Sequence, residues 1–146
     1  MADNDQVRTF DINQVKVIVD GSPISGWGEG DVITWEPNGE RYVKSVGSGG
    51  AVQRARVNDR SGQLTFIVQY GSSANDVFQR LLERDDKDNS GIGSISIEDL
   101  RGGFRLDVEK AWVMQDPGIA LGDGNPEREW VFETGPVRIK HGSISI

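Results

Sequence analysis

Gln63-Leu64-Thr65-Phe66-Ile67-Val68-Gln69-Tyr70, then Gly71 and two serines, then Ala74-Asn75-Asp76-Val77-Phe78-Gln79-Arg80-Leu81-Leu82, sets both secondary-structure periods side by side. In the first half Leu64, Phe66, Val68 and Tyr70 share one face, with Gln63, Thr65 and Gln69 on the other, the period of a half-buried strand. In the second half Ala74, Val77, Phe78, Leu81 and Leu82 fall at i, i+3, i+4, i+7 and i+8, one apolar stripe at the helical period. Ser73 is positioned to cap the first turn, and Asp76 suits the positive end of the helix dipole. Arg80 and Arg84 suit the other end. The spacing predicts one helix over about 73–85, entered from a strand.

Upstream, Val15, Val17 and Val19 alternate with Lys16 and Asp20, which predicts a first strand. Gly21, Ser22 and Pro23 read as a turn, 24–27 as a short strand, 28–31 as a second turn and 32–35 as a third strand. Asn38-Gly39 is a hairpin signal, because it tolerates the positive φ of a primed turn. Tyr42–Val46 and 52–57 are β-branched without clean alternation, separated by Gly47, Ser48, Gly49 and Gly50. Residues 58–62 form a dense turn. Downstream, Ile95 and Ile97 alternate with serines. Phe104, Leu106 and Val108 alternate with Arg105, Asp107 and Glu109, running on to Trp112 and Met114. Residues 115–127, with Pro117, Gly118, Gly122, Gly124 and Pro126, read as a long loop. Trp130 and Phe132 share a face against Glu129, Val131 and Glu133, and Val137, Ile139 and His141 close the pattern. Gly-Ser-Ile-Ser-Ile occurs at 93–97 and 142–146, but its flanks differ and it marks no repeat. The total is about eight or nine strands and one helix, a mainly β sandwich or barrel with the helix against it.

The chain is 146 residues and 16.0 kDa, the size of one domain spanning 1–146, with 1–14 as a polar N-terminal arm. A chain of this length buries roughly 68–70% of its unfolded surface, enough for a core without staples. Gly accounts for 19 residues, about 13% against a usual 7%, which supplies the turns of an all-β chain. Four Trp and five Phe argue against disorder. With no Cys and a single His, disulfides, thiolate metal sites, Cys nucleophiles and two-His relays are excluded. A net charge of −7 argues against a surface that grips nucleic acid or an anionic membrane. Mean hydropathy is −0.46, and no apolar run approaches the roughly 20 residues of a membrane helix. The acidic start, Met1 to Asp5, lacks the regions of a signal peptide, so no export is expected.

Asp86, Asp88, Ser90 and Gly91 occupy positions 1, 3, 5 and 6 of a calcium loop, but position 12 is Ile97, where the bidentate carboxylate belongs. An acidic surface loop that ends the helix is the better reading, and no saturable calcium binding is expected. Asp123 and Asn125 are a weaker cation candidate still. Gly47–Gly50 is not followed by Lys-Ser/Thr and precedes a strand, so it is a hairpin tip rather than a phosphate loop. His141 has no catalytic partner, and acidic neighbours such as Asp85 and Asp86 are not placed across a substrate. No catalytic, cofactor or metal residues are assigned, and the chain is read as no enzyme. Trp27 and Trp35 flank a turn, whereas Trp112 and Trp130 lie among core residues; if exposed, such rings stack on sugars. A β-sandwich carbohydrate-binding module is therefore the alternative to a structural role.

The order of four segments resembles the tail tube proteins of long-tailed bacteriophages: 21–27 followed by Gly30-Asp31; 58–62 leading into the Leu64 strand; Ala74 to Val77 opening a helix that ends in Leu81-Leu82; and Arg128-Glu129-Trp130 opening a late strand. The likeness spans roughly 15–140. It implies two antiparallel sheets closing toward a barrel, one outer helix, and subunits that form hexameric rings stacked into a hollow tube for DNA ejection. It implies as partners other copies of the chain, a sheath if the tail contracts, a tape measure protein, and baseplate or terminator proteins. The protein would reside in the virion tail, be assembled in the host cytoplasm and touch no membrane; related inner tubes occur in bacterial contractile injection machines. An acidic lumen would repel the phosphates of passing DNA, and Asp107 with Glu109, or Glu129 with Glu133, are its candidate residues. The segment 40–59 is the expected contact between rings. It is long for a hairpin, its tip of Gly and Ser is too flexible to hold a shape alone, and it is basic in an acidic protein. Tyr42, Lys44, Val46, Gly47, Ser48, Gly49, Gly50, Val52, Arg54 and Arg56 are its contact residues.

Overall fold

Alternating valines start the chain's first strand. In the computed structural model, which describes residues 9–142, β1 (Val15–Val19) turns Val17 and Val19 inward and leaves Lys16 in solvent. The chain then reverses at Asp20 and Gly21, with φ of 51° and 82°, and β2 (Ser22–Ile24) pairs back on β1. The turn thus falls before Ser22 and Pro23, which the sequence assigns to it. Two successive positive φ values match the twist of a two-residue hairpin, and Asp-Gly supplies them. In place of a strand over 24–27, the chain crosses to the far side of the sheet. There Gly28 N donates to Ile67 O, and Gly26 O and Val32 O accept from Gln69 N and Ile67 N.

β3 (Ile33–Pro37) pairs with β6 (Gly62–Gln69), not with the strand that follows it. Asn38-Gly39 therefore makes no hairpin; Asn38 N bonds Ser61 O instead. Tertiary burial overrides the local turn signal, because only pairing with β6 sets Ile33 and Trp35 against the core beside Phe66 and Leu64. Between them, β4 (Tyr42–Val46) and β5 (Val52–Arg56) form a separate two-stranded sheet. The remaining elements are α1 (Ala74–Asp88), β7 (Gly93–Asp99), β8 (Arg105–Gln115), β9 (Glu127–Thr134) and β10 (Val137–Lys140). The larger sheet runs β2-β1-β7-β8-β9-β6-β3, with β10 beside β8, and every pairing is antiparallel. The protein is mainly β, with two antiparallel sheets and a single helix among the described residues, and the sheets are very unequal.

The core lies between α1 and the inner face of the large sheet. Phe78 meets Phe132 at 5.1 Å, Trp130 at 5.2 Å and Phe66 at 5.8 Å between ring centroids, all four rings fully buried. Val77 and Leu81 are buried and Leu82 partly so, the stripe that the 3.6 period predicts. Tyr70 leaves the pattern: it lies just past β6, half exposed, under the Arg128 guanidinium at 5.0 Å.

Both helix ends differ from the sequence reading. Ser73 makes no capping bond; Ser72 Oγ accepts from Ala74 N at 3.1 Å while donating to Ser25 O. At the other end Asn89 takes a left-handed conformation (φ 61°) and its N–H reaches Arg84 O and Asp85 O, so the helix runs on to Asp88. In β8, Val108 opposes Ile95 while Ala111 opposes Gly93, so three residues of β8 face two of β7. This bulge reverses the phase of the strand. Ala111 and Val113 point inward, Trp112 is half-buried on the opposite face and Met114 is exposed, the reverse of the simple alternation.

Candidate assembly surfaces

The hairpin β4–β5 has no core of its own. Nine of its ten strand residues are exposed, and Tyr42 is half-buried. An isolated two-stranded ribbon is marginal in water, so its geometry must come from local bonds or from a partner. Its tip is locally determined. Gly47 N donates to Ala51 O at 2.8 Å and Gly50 N to Gly47 O at 2.9 Å, with Gly50 at φ 90°. This is a three-residue hairpin loop closed by a left-handed glycine, a defined shape rather than the shapeless linker its composition suggests. Register sorts the ten predicted contact residues. Tyr42 opposes Arg56, Lys44 opposes Arg54 and Val46 opposes Val52, so all six side chains share one face. The Arg54 guanidinium lies 3.9 Å over the Tyr42 ring. Near the tip Val46 and Val52 are 59% and 68% exposed. The opposite face, Val43, Ser45, Gln53 and Ala55, carries no charge.

Sequence reading missed a groove of about 400 Å³ at one side of the large sheet. Its apolar lining includes Trp27, Ile33, Trp35, Phe104 and Leu106, with Phe10 exposed at its lip. Among the described residues, Asp31 and Asp99 are the charged ones that line it. Its members come from four separate stretches of chain, so no local pattern announces it.

The four acidic lumen candidates lie on the outer face of the large sheet, but in different surroundings. Asp107 is ion-paired to Arg105 (2.7 Å) and accepts from Ser96 Oγ (3.0 Å), with Arg138 opposite it on β10. The Arg105 bond holds the Asp107 carboxyl below its ordinary range despite partial burial, with help from Ser96 and the Arg105 and Arg138 charges. Arg105 also reaches Glu98, which faces Lys16, so this half of the face is mixed in sign. Glu109 is exposed at the bulge beside Lys110. Glu129 and Glu133 stand on β9 beside Ile67, Gln63 and Trp112, and neither makes an ion pair among the described residues.

The acidic stretch that ends the helix is occupied with structure. Asp86 and Asp88 belong to the last turn of α1, not to a loop, while Asp85 Oδ1 accepts from Gly91 N at 2.7 Å and Asp88 from Ser90 Oγ. Among the described residues no group of three His, Cys, Asp or Glu is gathered as metal ligands. The sugar-stacking alternative needs exposed indoles. Trp130 is buried, and Trp27, Trp35 and Trp112 are half-buried, Trp27 against Phe66 at 6.0 Å and Trp35 over Gly62. His141 lies past the end of β10, 6.0 Å from Phe104. Among the described residues no helix is long and apolar enough to cross a membrane.

The arrangement of one helix over a large antiparallel sheet has similar folds among chains of contractile injection systems. The chain is similar to the anti-feeding prophage cap, a tube-terminating cap, with a TM-score of 0.62 at 10% identity over 96% of this chain and 98% of that one. It is also similar to a chain of the sheath–tube complex of PVC, an extracellular contractile injection system, in the extended state (TM-score 0.58, 11% identity, 91% and 92% covered). A chain of the PVC sheath/tube terminator gives a TM-score of 0.59 at 10% identity, with 92% and 98% covered. At such identities the likeness is one of fold. No curated protein matches the sequence. The family comes from the sequence itself: the model of the bacteriophage PhiTE tail tube protein family matches residues 9–142, and the chain belongs to that family.

Proposed function

We propose that this protein is the building block of a phage tail tube, closing into hexameric rings that stack into a hollow conduit for DNA. The observation that carries the reading is the β4–β5 hairpin, a ribbon with almost no buried residue that is basic in an acidic chain and projects from a domain of the tail tube family. Ordered by its own tip but supported by no core, it is suited to bridging one ring to the next. Glu129 and Glu133 are the better lumen lining, because neither makes an ion pair among the described residues, whereas Asp107 is paired to Arg105. Uncancelled negative charge keeps a DNA backbone mobile rather than bound. A structural subunit of this kind needs no catalytic residue or cofactor. Its partners are further copies of itself, a sheath where the tail contracts, the tape measure protein, and baseplate or terminator proteins. Its place is the virion tail, after assembly in the host cytoplasm.

Negative-stain microscopy of the concentrated protein tests the reading, with rings or tubes as the expected result. Deleting Ser48, Gly49 and Gly50 should abolish tube growth while leaving the melting temperature of the monomer nearly unchanged, since no residue of the tip is buried. Long tubes from the shortened protein would move the contact elsewhere, with residues 1–14 the next candidate.

A further inference from the structure

The hairpin and the apolar groove are complementary in shape of charge and in chemistry, and we infer that the hairpin of one copy seats in the groove of a second copy. This rests on the proposed role of the hairpin as a contact and names its receptor. Residues 40–57 hold Arg41, Lys44, Arg54 and Arg56 against Glu40, a local charge of 4 − 1 = +3 in a protein of −7. Among the described residues, the charges lining the groove are both negative, Asp31 and Asp99. The apolar parts match as well. On one face of the hairpin Val46 and Val52 project near the tip, and Lys44 with Arg54 follows two residues back, roughly 7 Å along the strand. With the valines inserted between Trp27, Trp35 and Phe104, Lys44 follows behind them to meet the carboxylates of the lining, Asp31 and Asp99. Apolar anchors in a pocket with charges at its edge give affinity from the former and orientation from the latter. A copy that offers its hairpin to one neighbour and its groove to another makes a heterologous contact, which propagates into a ring or a filament.

The chain has no cysteine, so cross-linking is clean. Asp31→Cys combined with Val46→Cys, treated with a short bis-maleimide under polymerising conditions, should give a ladder of denaturant-resistant oligomers, while each single variant stops at dimers. Tubes of the double variant that yield no ladder overturn the inference and leave the hairpin's part in growth standing. Growth by the protein lacking residues 48–50 overturns both. If the double variant does not polymerise, charge exchange decides. Asp31→Lys should slow tube growth by about tenfold, the scale of one close charge pair, and adding Lys44→Glu should restore it. An Asp31→Lys protein that polymerises at the parent rate, or one that Lys44→Glu fails to rescue, overturns the inference. Melting curves confirm that each variant is folded.

Discussion

Phe78 is fully buried and meets three other aromatic rings, so its removal leaves a cavity that no flexible neighbour fills. Phe78→Ala should cost about 3–5 kcal/mol in urea unfolding. A loss below about 1 kcal/mol would contradict the packing of α1. Asp107 gives a pH signature at the same scale. Its folded pKa is lowered from 3.8, first by the bond from Arg105, so its ionised form favours folding. That contribution is present at neutral pH and is lost as pH falls through the lowered folded value, below 3.8. Asp107→Asn should therefore melt lower than the parent at pH 7, with the gap closing as the pH is taken below that window. A gap that stays constant in acid would mean that the Arg105 bond carries no net stability.

The start of α1 separates a residue that looks like a cap from one that is. Ser72 Oγ receives Ala74 N, whereas Ser73 already has helical backbone angles and no side-chain bond. Ser72→Ala should cost about 1 kcal/mol, and Ser73→Ala should fall within about 0.5 kcal/mol of neutral, both read from thermal unfolding. Equal losses would show that the cap is shared. Asn75 adds a second anchor, donating to Gln69 O, Tyr70 O and Ser72 O while its Oδ1 accepts from Trp130 Nε1 at 2.9 Å. The helix is thus tied to β6 and β9 at its first turn, which fixes the stripe over the aromatic core.

At the scale of the whole molecule, one face of the large sheet packs on α1, and on the proposed tube role the opposite face is the one that would line a channel. Glu129→Lys with Glu133→Lys should leave the monomer fold and tube growth intact but slow DNA ejection in an infectivity or ejection assay. Normal ejection by that double variant would place the lumen elsewhere. The same scale explains why deleting the hairpin tip should leave the monomer stable. It belongs to a second sheet that shares no strand pairing with the first.

Local periodicity alone determined β6, the buried stripe of Val77, Phe78 and Leu81, the valines of β1, and the unsupported character of 40–59, whose missing alternation reflects a ribbon with no core to face. These are one-dimensional patterns, and a residue's side of a helix or strand follows from its own spacing. Tertiary structure decided the rest. Asn38-Gly39 lost its hairpin because β3 gains more by burying Ile33 and Trp35 against β6. One extra residue in β8 turned Trp112 and Met114 to the opposite face from that of simple alternation. The Ser96 and Arg138 neighbours of Asp107, and the groove of Trp27, Trp35 and Phe104, exist only once strands far apart in the chain are placed side by side. Partner choice and register depend on the summed burial of distant residues, a quantity that no local window of sequence contains.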